Sequence, residues 1–454
     1  MTTPPAPASQ HREVLRLAVP AFLALVAEPL FLMADSAIVG RLGVAPLAGL
    51  GVAGAVLLTG VNVFVFLAYA TTAVVARQLG AGSRAGAITA GIDGTWLAVA
   101  LGVVTTAVLG VAAGPLAGLF GASQAVLEQA TTYLRISALG IPAMLVVLAT
   151  TGVLRGLQDT RTPLVAAVVG FSANIALSVW FVHGLGWGIA GSAWGTVIAQ
   201  TGMAAALVAV LVREAGRAQV TLRAHPGRIL AAARGGVPLL VRTLALRAVL
   251  VLTTWVAAGL GDVPLAAYQV TATIWSFLAF ALDAIAIAGQ AITGKTLGAG
   301  DVVTTRAATS LMVRWGVLVG IVLGLVVLAV HPWVGALFTP DPAVQSAIAA
   351  GLVVVGLSQP LSGFVFVVDG VLIGAGDGRW LARAMLATLA AYLPVVLGLR
   401  AAGDWLLEGG TTEGQAHALT WLWVGFTVFM SVRATLMWLR VRTDRWMVTG
   451  ATVG

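Results

Sequence analysis

Gly152-Val-Leu-Arg-Gly-Leu-Gln-Asp-Thr-Arg161 recurs as Gly370-Val-Leu-Ile-Gly-Ala-Gly-Asp-Gly-Arg379, with six of ten positions identical at an offset of 218 residues. The same offset aligns Leu79-Gly-Ala-Gly82 with Leu297-Gly-Ala-Gly300, and Val19-Pro20 with Val237-Pro238. It also aligns Leu42-Gly43 and Pro46-Leu-Ala48 with Leu260-Gly261 and Pro264-Leu-Ala266. A single offset that holds from Val19 to Arg161 without a net insertion marks two copies of one structural unit.

The chain around these copies is apolar. Of its 454 residues 59% are hydrophobic and 9% charged, and the mean hydropathy is +1.00. Soluble domains carry about 25% charged residues. Apolar runs long enough for the ~20 residues of a membrane-crossing helix recur throughout. Spans are expected at 14–38, 46–78, 87–115, 126–154, 162–183, 187–212, 229–259, 264–297, 307–333, 343–373, 380–401 and 415–441. Each copy then holds six spans, an even number, so both enter the membrane from the same side, as parallel repeats do. The expected fold is an all-α membrane protein of twelve transmembrane helices in two pseudo-symmetric six-helix bundles. The expected organisation is a disordered tail (1–12), an N-lobe (13–212), a polar linker (213–228), a C-lobe (229–445) and a second tail (446–454).

Charge placement orients these spans. Arg12, Arg77, Arg84, Arg155, Arg161, Arg213, Arg217, Arg379 and Arg440 fall on one side, whereas Glu128, Asp262, Asp341, Asp404 and Glu413 fall on the other. The positive-inside rule makes the basic side cytoplasmic, with both termini there, in the inner membrane of a bacterium. This accounts for the net charge of +8 without nucleic acid as a partner. The chain has no Cys, no GxxxxGK[ST] phosphate loop and no HExxH, and its five His residues are scattered. No enzymatic activity, metal site or cofactor is therefore expected, and the chain is read as a monomer.

Ionisable groups inside hydrocarbon cost several kcal/mol, so each is a functional candidate. Glu28 and Asp35 lie two turns apart on one face of the first span, with Pro29 between them and Pro20 before them. Proline removes a backbone hydrogen bond and lets that helix bend. Depth counting at about 1.5 Å per residue puts Asp35, Asn174 and Thr196 in the outer half of the membrane. A carboxylate, an amide oxygen and a hydroxyl at one level can hold a proton network or a small hard cation. In the second copy Arg242 and Asp283 lie at equal depth and are expected to pair, with Arg247 nearby. Asp369 lies near the Gly374–Arg379 loop, where the inner interface is expected to solvate it. Asp159 and Asp377 in the repeated loops are expected to bond local backbone or Arg at tight turns.

The stretches GVLRGLQDTRTP (152–163), EPLFLMADSAIVGRLG (28–43) and DGVLIGAGDGR (369–379) resemble the multidrug and toxic compound extrusion (MATE) transporters, in particular their DinF-like branch. The resemblance runs from about Glu13 to Arg445. It implies exchange of H⁺ or Na⁺ for organic cations or other amphipathic compounds by alternating access. Small molecules and membrane lipids are then the only partners. Asp35 matches the family's principal coupling residue, Asn174 and Thr196 match a family Asn and Thr, and Tyr133 matches a family Tyr. Where many relatives carry a second Asp one turn after the Asn, this chain has Ser178, which favours proton coupling, with Glu28 as a second titratable group. Tyr133, Arg242, Asp283 and Asp369 are expected at the substrate cavity. The alternative within the wider superfamily is a flippase for lipid-linked precursors or a polysaccharide exporter.

Overall fold

The computed structural model describes residues 7–407 and 411–452. In the first half, α1 spans Pro7–Gly40, α2 Val44–Phe64, α3 Phe66–Gly80 and α4 Arg84–Gly118. Next come α5 Gln124–Ala138, α6 Ile141–Gly156, α7 Arg161–Val179 and α8 Gly188–Arg217, with a π turn over Trp180–Gly184 closing α7. The second half holds α9 Pro226–Leu260, α10 Asp262–Gly298, α11 Val302–Phe338 and α12 Pro342–Gly374. It ends with α13 Gly378–Ala401, the short α14 Gly403–Leu407 and α15 Thr412–Val441.

Ten of these helices are long and apolar enough to cross a membrane. The α5–α6 pair, bent by 52°, supplies an eleventh span. The second expected span, 46–78, is covered by α2 and α3, which are interrupted only at Val65. The fourth expected span, 126–154, is thus two helices, because Pro142 cannot donate the backbone hydrogen bond that would carry α5 into α6.

Three expected boundaries change. Residues 7–12, expected as part of a disordered tail, are helical in α1, while residues 1–6 lie outside the described residues. The expected linker 213–228 shrinks to 218–225. Glu214, held by Arg84 and by Arg217 at 2.7 Å, extends α8, and Pro226 suits the first turn of α9. The tail 446–454 is anchored rather than loose as far as residue 452. Trp446 and Met447 are buried, and the Gly450 amide donates to the Leu297 carbonyl at 3.0 Å. The Gly450 carbonyl in turn accepts from the Arg77 guanidinium at 2.8 Å.

The chain divides into two compact units, and the cuts do not fall at the linker. One comprises residues up to Ala18, Val241–Thr293 and Asp301–Val448; the other comprises Val19–Leu240, Gly294–Gly300 and the chain from Thr449. The cuts fall inside α1, just before Pro20, and inside α9, just after Pro238. In the first unit the start of α1 is fixed by a hydrogen bond from Trp315 Nε1 to His11 Nδ1, 2.9 Å long. In the second, the start of α9 is fixed by an ion pair between Arg228 and Asp93 at 3.0 Å.

Within each unit the same helix crossings recur at the sequence offset of 218. A Cβ added at Gly152 would lie 2.5 Å from the Ala68 carbonyl oxygen, and one at Gly370 would lie 2.4 Å from that of Ala286. Four residues on, Gly156 faces the Thr72 carbonyl and Gly374 that of Gln290. The repeated GVLxG stretch is therefore a small-xxx-small motif that brings α6 onto α3 and α12 onto α10. Gly102 packs against Pro142 as Gly320 does against Pro360. The turns repeat as well. Positive φ occurs at Gly43 and Gly261, Gly82 and Gly300, and Gln158 and Gly376. Ser83 caps α4 through the Gly86 amide, and Asp301 caps α11 through that of Thr304. The ends of α3 and α10, both in the second unit, meet reciprocally, with Gly80 on the Lys295 carbonyl and Gly298 on that of Arg77.

Gly370→Ala should force α10 and α12 apart at a cost of about 1–3 kcal/mol. Gly110→Ala, at a glycine with nothing within 4 Å, should be close to neutral. Thermal unfolding of the two variants in detergent, followed by size exclusion, checks the difference.

Candidate coupling site

The site is assembled by α8 lying tightly on the end of α7. A Cβ at Gly191 would come within 2.8 Å of the Phe181 backbone, and one at Gly195 within 2.8 Å of Ser178 Oγ. Gly191-Ser-Ala-Trp-Gly195 is a second small-xxx-small ridge. Each glycine is followed by a hydroxyl residue, Ser192 and Thr196, and both of these reach the polar cluster. On the facing side Phe31 of α1 stacks on Phe171 of α7, centroids 5.3 Å apart, one turn before Asp35.

Asp35 is only 2% exposed. Ser192 donates to its Oδ1 at 2.5 Å, and the Tyr133 hydroxyl donates to its Oδ2 at 3.4 Å. Ser178 donates to Asn174 Oδ1 at 3.1 Å, and Asn174 Nδ2 donates to Thr196 Oγ1 at 3.3 Å. Tyr133 also reaches Thr196, so the five expected polar residues Asp35, Tyr133, Asn174, Ser178 and Thr196 form one network with Ser192. Tyr133, expected at the substrate cavity, is buried inside this network. Its ring belongs to an apolar cluster with Val39, Leu50, Ala53 and Ala193, which keeps water from the carboxylate. Glu28 stands apart: it is exposed and has no hydrogen-bond or ion-pair partner among the described residues.

This arrangement suits a change of protonation. The groups that contact Asp35 are neutral hydroxyls, so the carboxylate can gain a proton without breaking an ion pair.

The other unit holds a different charge cluster. Asp369, expected to be solvated, is 5% exposed and is gripped by Arg242 and by Arg433 at 2.9 Å. Asp369 is thus an acid on Arg242, and Asp283, expected to pair with Arg242, is half-buried on α10. Arg242 and Asp369 sit together in a buried ion cluster. Arg433 was missed in the sequence, although a lone Arg inside an apolar span is the signal that singled out the others. Ser192 was missed because a serine carries no charge to draw attention. The counterparts of Asp35 and Asn174, 218 residues on, are Thr253 and Tyr392, which hydrogen-bond to each other at 2.9 Å. The first unit therefore has a neutral hydroxyl pair at these positions and no acid.

In the loops, Asp159 accepts from the Arg161 and Thr162 amides at 3.0 Å, and Asp377 accepts from Arg440 at 2.7 Å. Burial raises the Asp377 carboxyl above its ordinary range, while Arg440 and Arg383 pull it back.

Twelve membrane segments in two copies, with one buried acid in a hydroxyl network, define a multi-pass helical membrane transport protein. The family model described as MatE matches residues 20–180 and again 238–397, so the two matches begin at Pro20 and Pro238. They cover well over half of the chain, and the chain belongs to the MatE family. It is 29% identical to Protein DETOXIFICATION 43 of Arabidopsis thaliana, over 93% of this chain and 89% of that one. It is 28% identical to DNA damage-inducible protein F of Escherichia coli K12, over 94% and 90%. The bent form of the Vibrio cholerae MATE transporter VcmN shares the fold, with a TM-score of 0.84 and 21% identity over 97% of this chain and 99% of that one.

Asp369→Asn removes the carboxylate that two buried guanidinium groups share. It should destabilise the protein by about 3–5 kcal/mol, seen as a lower melting temperature in detergent.

Proposed function

We propose that this protein is a secondary-active exporter that exchanges H⁺ for organic cations or other amphipathic compounds by alternating access, with Asp35 as the coupling acid. The observation that carries this reading is a single buried carboxylate in a neutral hydroxyl network. Sodium is the less favoured ion, because Ser178 offers a hydroxyl where a second carboxylate would strengthen a cation site. Glu28, exposed and apart from the network, is a secondary titratable group at most. Pro20 and Pro29 let α1 bend or straighten as Asp35 changes charge. No cofactor is required, and the protein works as a monomer among membrane lipids.

The similarity to DNA damage-inducible protein F supports the DinF-like branch, and the excess of Arg in one set of loops supports a bacterial inner membrane with both termini cytoplasmic. The flippase alternative is not favoured. Relatives over nearly the full chain carry detoxification and multidrug-resistance names, among them Multidrug resistance protein PmpM of Pseudomonas aeruginosa at 26% identity.

In proteoliposomes with proton and sodium gradients imposed separately, efflux should follow the proton gradient. Asp35→Asn is nearly isosteric but cannot titrate, so it should insert normally and lose gradient-driven efflux. Wild-type export by that variant would remove Asp35 from the mechanism. Orientation is checked in the Cys-free chain. A single Cys at position 220 should react with an impermeant reagent in inverted vesicles and not in intact cells.

A further inference from the structure

The strongest contact on Asp35 comes from a residue with no assigned role. Ser192 is fully buried, and its hydroxyl lies 2.5 Å from Asp35 Oδ1, against 3.4 Å for Tyr133 on Oδ2. Gly191 and Gly195 let the α8 backbone lie directly on the end of α7, and this close packing sets where Ser192 sits. We infer that Ser192 is a positioning residue that donates to the ionised form of Asp35 and thereby sets the pH at which the acid loads its proton. This inference rests on the reading of Asp35 as the coupling acid.

Other charges do not supply this control. Of the helices around Asp35, α2 carries no titratable side chain, and α5 offers Tyr133, which donates to Asp35. The remaining charged groups of α5, Glu128 and Arg135, are not fully buried. On α7, Arg161 lies at its start, and His183, in the closing π turn, is exposed. On α8, Arg213, Glu214 and Arg217 stand at the opposite end, with Glu214 paired to Arg84 and Arg217. On α4, Arg84 and Asp93 lie far along the helix from Ala113 and Ala117, which pack in the cluster around Tyr133. On α1 itself, Glu28 is two turns away and exposed. The chemistry in direct reach of the carboxylate is two hydroxyl donors, the shorter bond coming from Ser192.

A donor to a carboxylate stabilises the ionised form. Removing it lets Asp35 hold its proton to a higher pH. Ser192→Ala should therefore move the midpoint of the pH–efflux profile upward by about one unit. Ser192→Cys, with a weaker donor of similar size, should shift it less. Tyr133→Phe, which loses only the longer bond, should also shift it less than Ser192→Ala. Proteoliposome efflux measured across pH reads the midpoint. Infrared difference titration of the protonated carboxyl band in purified protein reads it without transport. If Ser192→Ala gives no folded protein, Ser192→Cys carries the comparison. An unmoved midpoint in both assays, or a lower rate with no shift, overturns the inference and leaves Ser192 a packing residue. Asp35→Asn in the same assays separates the two readings. If that variant keeps wild-type gradient-driven efflux, the coupling reading fails whatever Ser192 does.

Discussion

Inside hydrocarbon there is no water to satisfy a backbone amide, so the chain must be helical, and helices there gain little from the hydrophobic effect when they associate. What holds them is close approach of one backbone to another, which only a missing side chain permits. The fold depends on this constraint at a few named places. Gly152 and Gly156 of α6 against α3, Gly370 and Gly374 of α12 against α10, and Gly102 and Gly320 against two prolines set the spacing of both units. Once those crossings are fixed, the polar side chains have little freedom in where they point. The network around Asp35 follows from the same device, since Gly191 and Gly195 bring α8 onto α7 and so deliver Ser192 and Thr196 to it.

The two units treat buried charge in opposite ways. In one, a carboxylate is left with neutral partners whose hydrogen bonds can be remade in either protonation state. In the other, Asp369 is fixed between two guanidinium groups, where taking up a proton would weaken two buried ion pairs at once. The first arrangement suits a group that titrates during work and the second suits a scaffold. At the positions equivalent to Asp35 and Asn174 the second copy has Thr253 and Tyr392, a hydroxyl pair with no charge to move.

Much of this was legible in the sequence. The offset of 218 and the GVLxG repeat foretold the duplicated crossings, because small residues at helical spacing have one main use in a membrane. Asp35, Asn174, Ser178, Thr196 and Tyr133 could be gathered by depth and by family resemblance. What escaped was set by rotation about helix axes and by partner choice, neither of which depth encodes. Asp369, expected at a solvated interface, is instead brought onto Arg242 by α12. The hydroxyl of Ser192 is one among many in such a chain until the glycines beside it are seen to press α8 onto α7. The break between α5 and α6 was signalled by Pro142, but a long apolar run concealed it.

The interleaving of the units bears on how the protein is made. The unit around Asp35 is not complete when the ribosome has passed its last transmembrane helix, α8. It still needs Pro226–Leu240 of α9, then Gly294–Gly300 of α10, then the segment from Thr449 whose Gly450 is bound by Arg77. The last pieces of this unit are therefore made after the whole of the other one, and its final contact, Arg77 on Gly450, joins residues 373 positions apart.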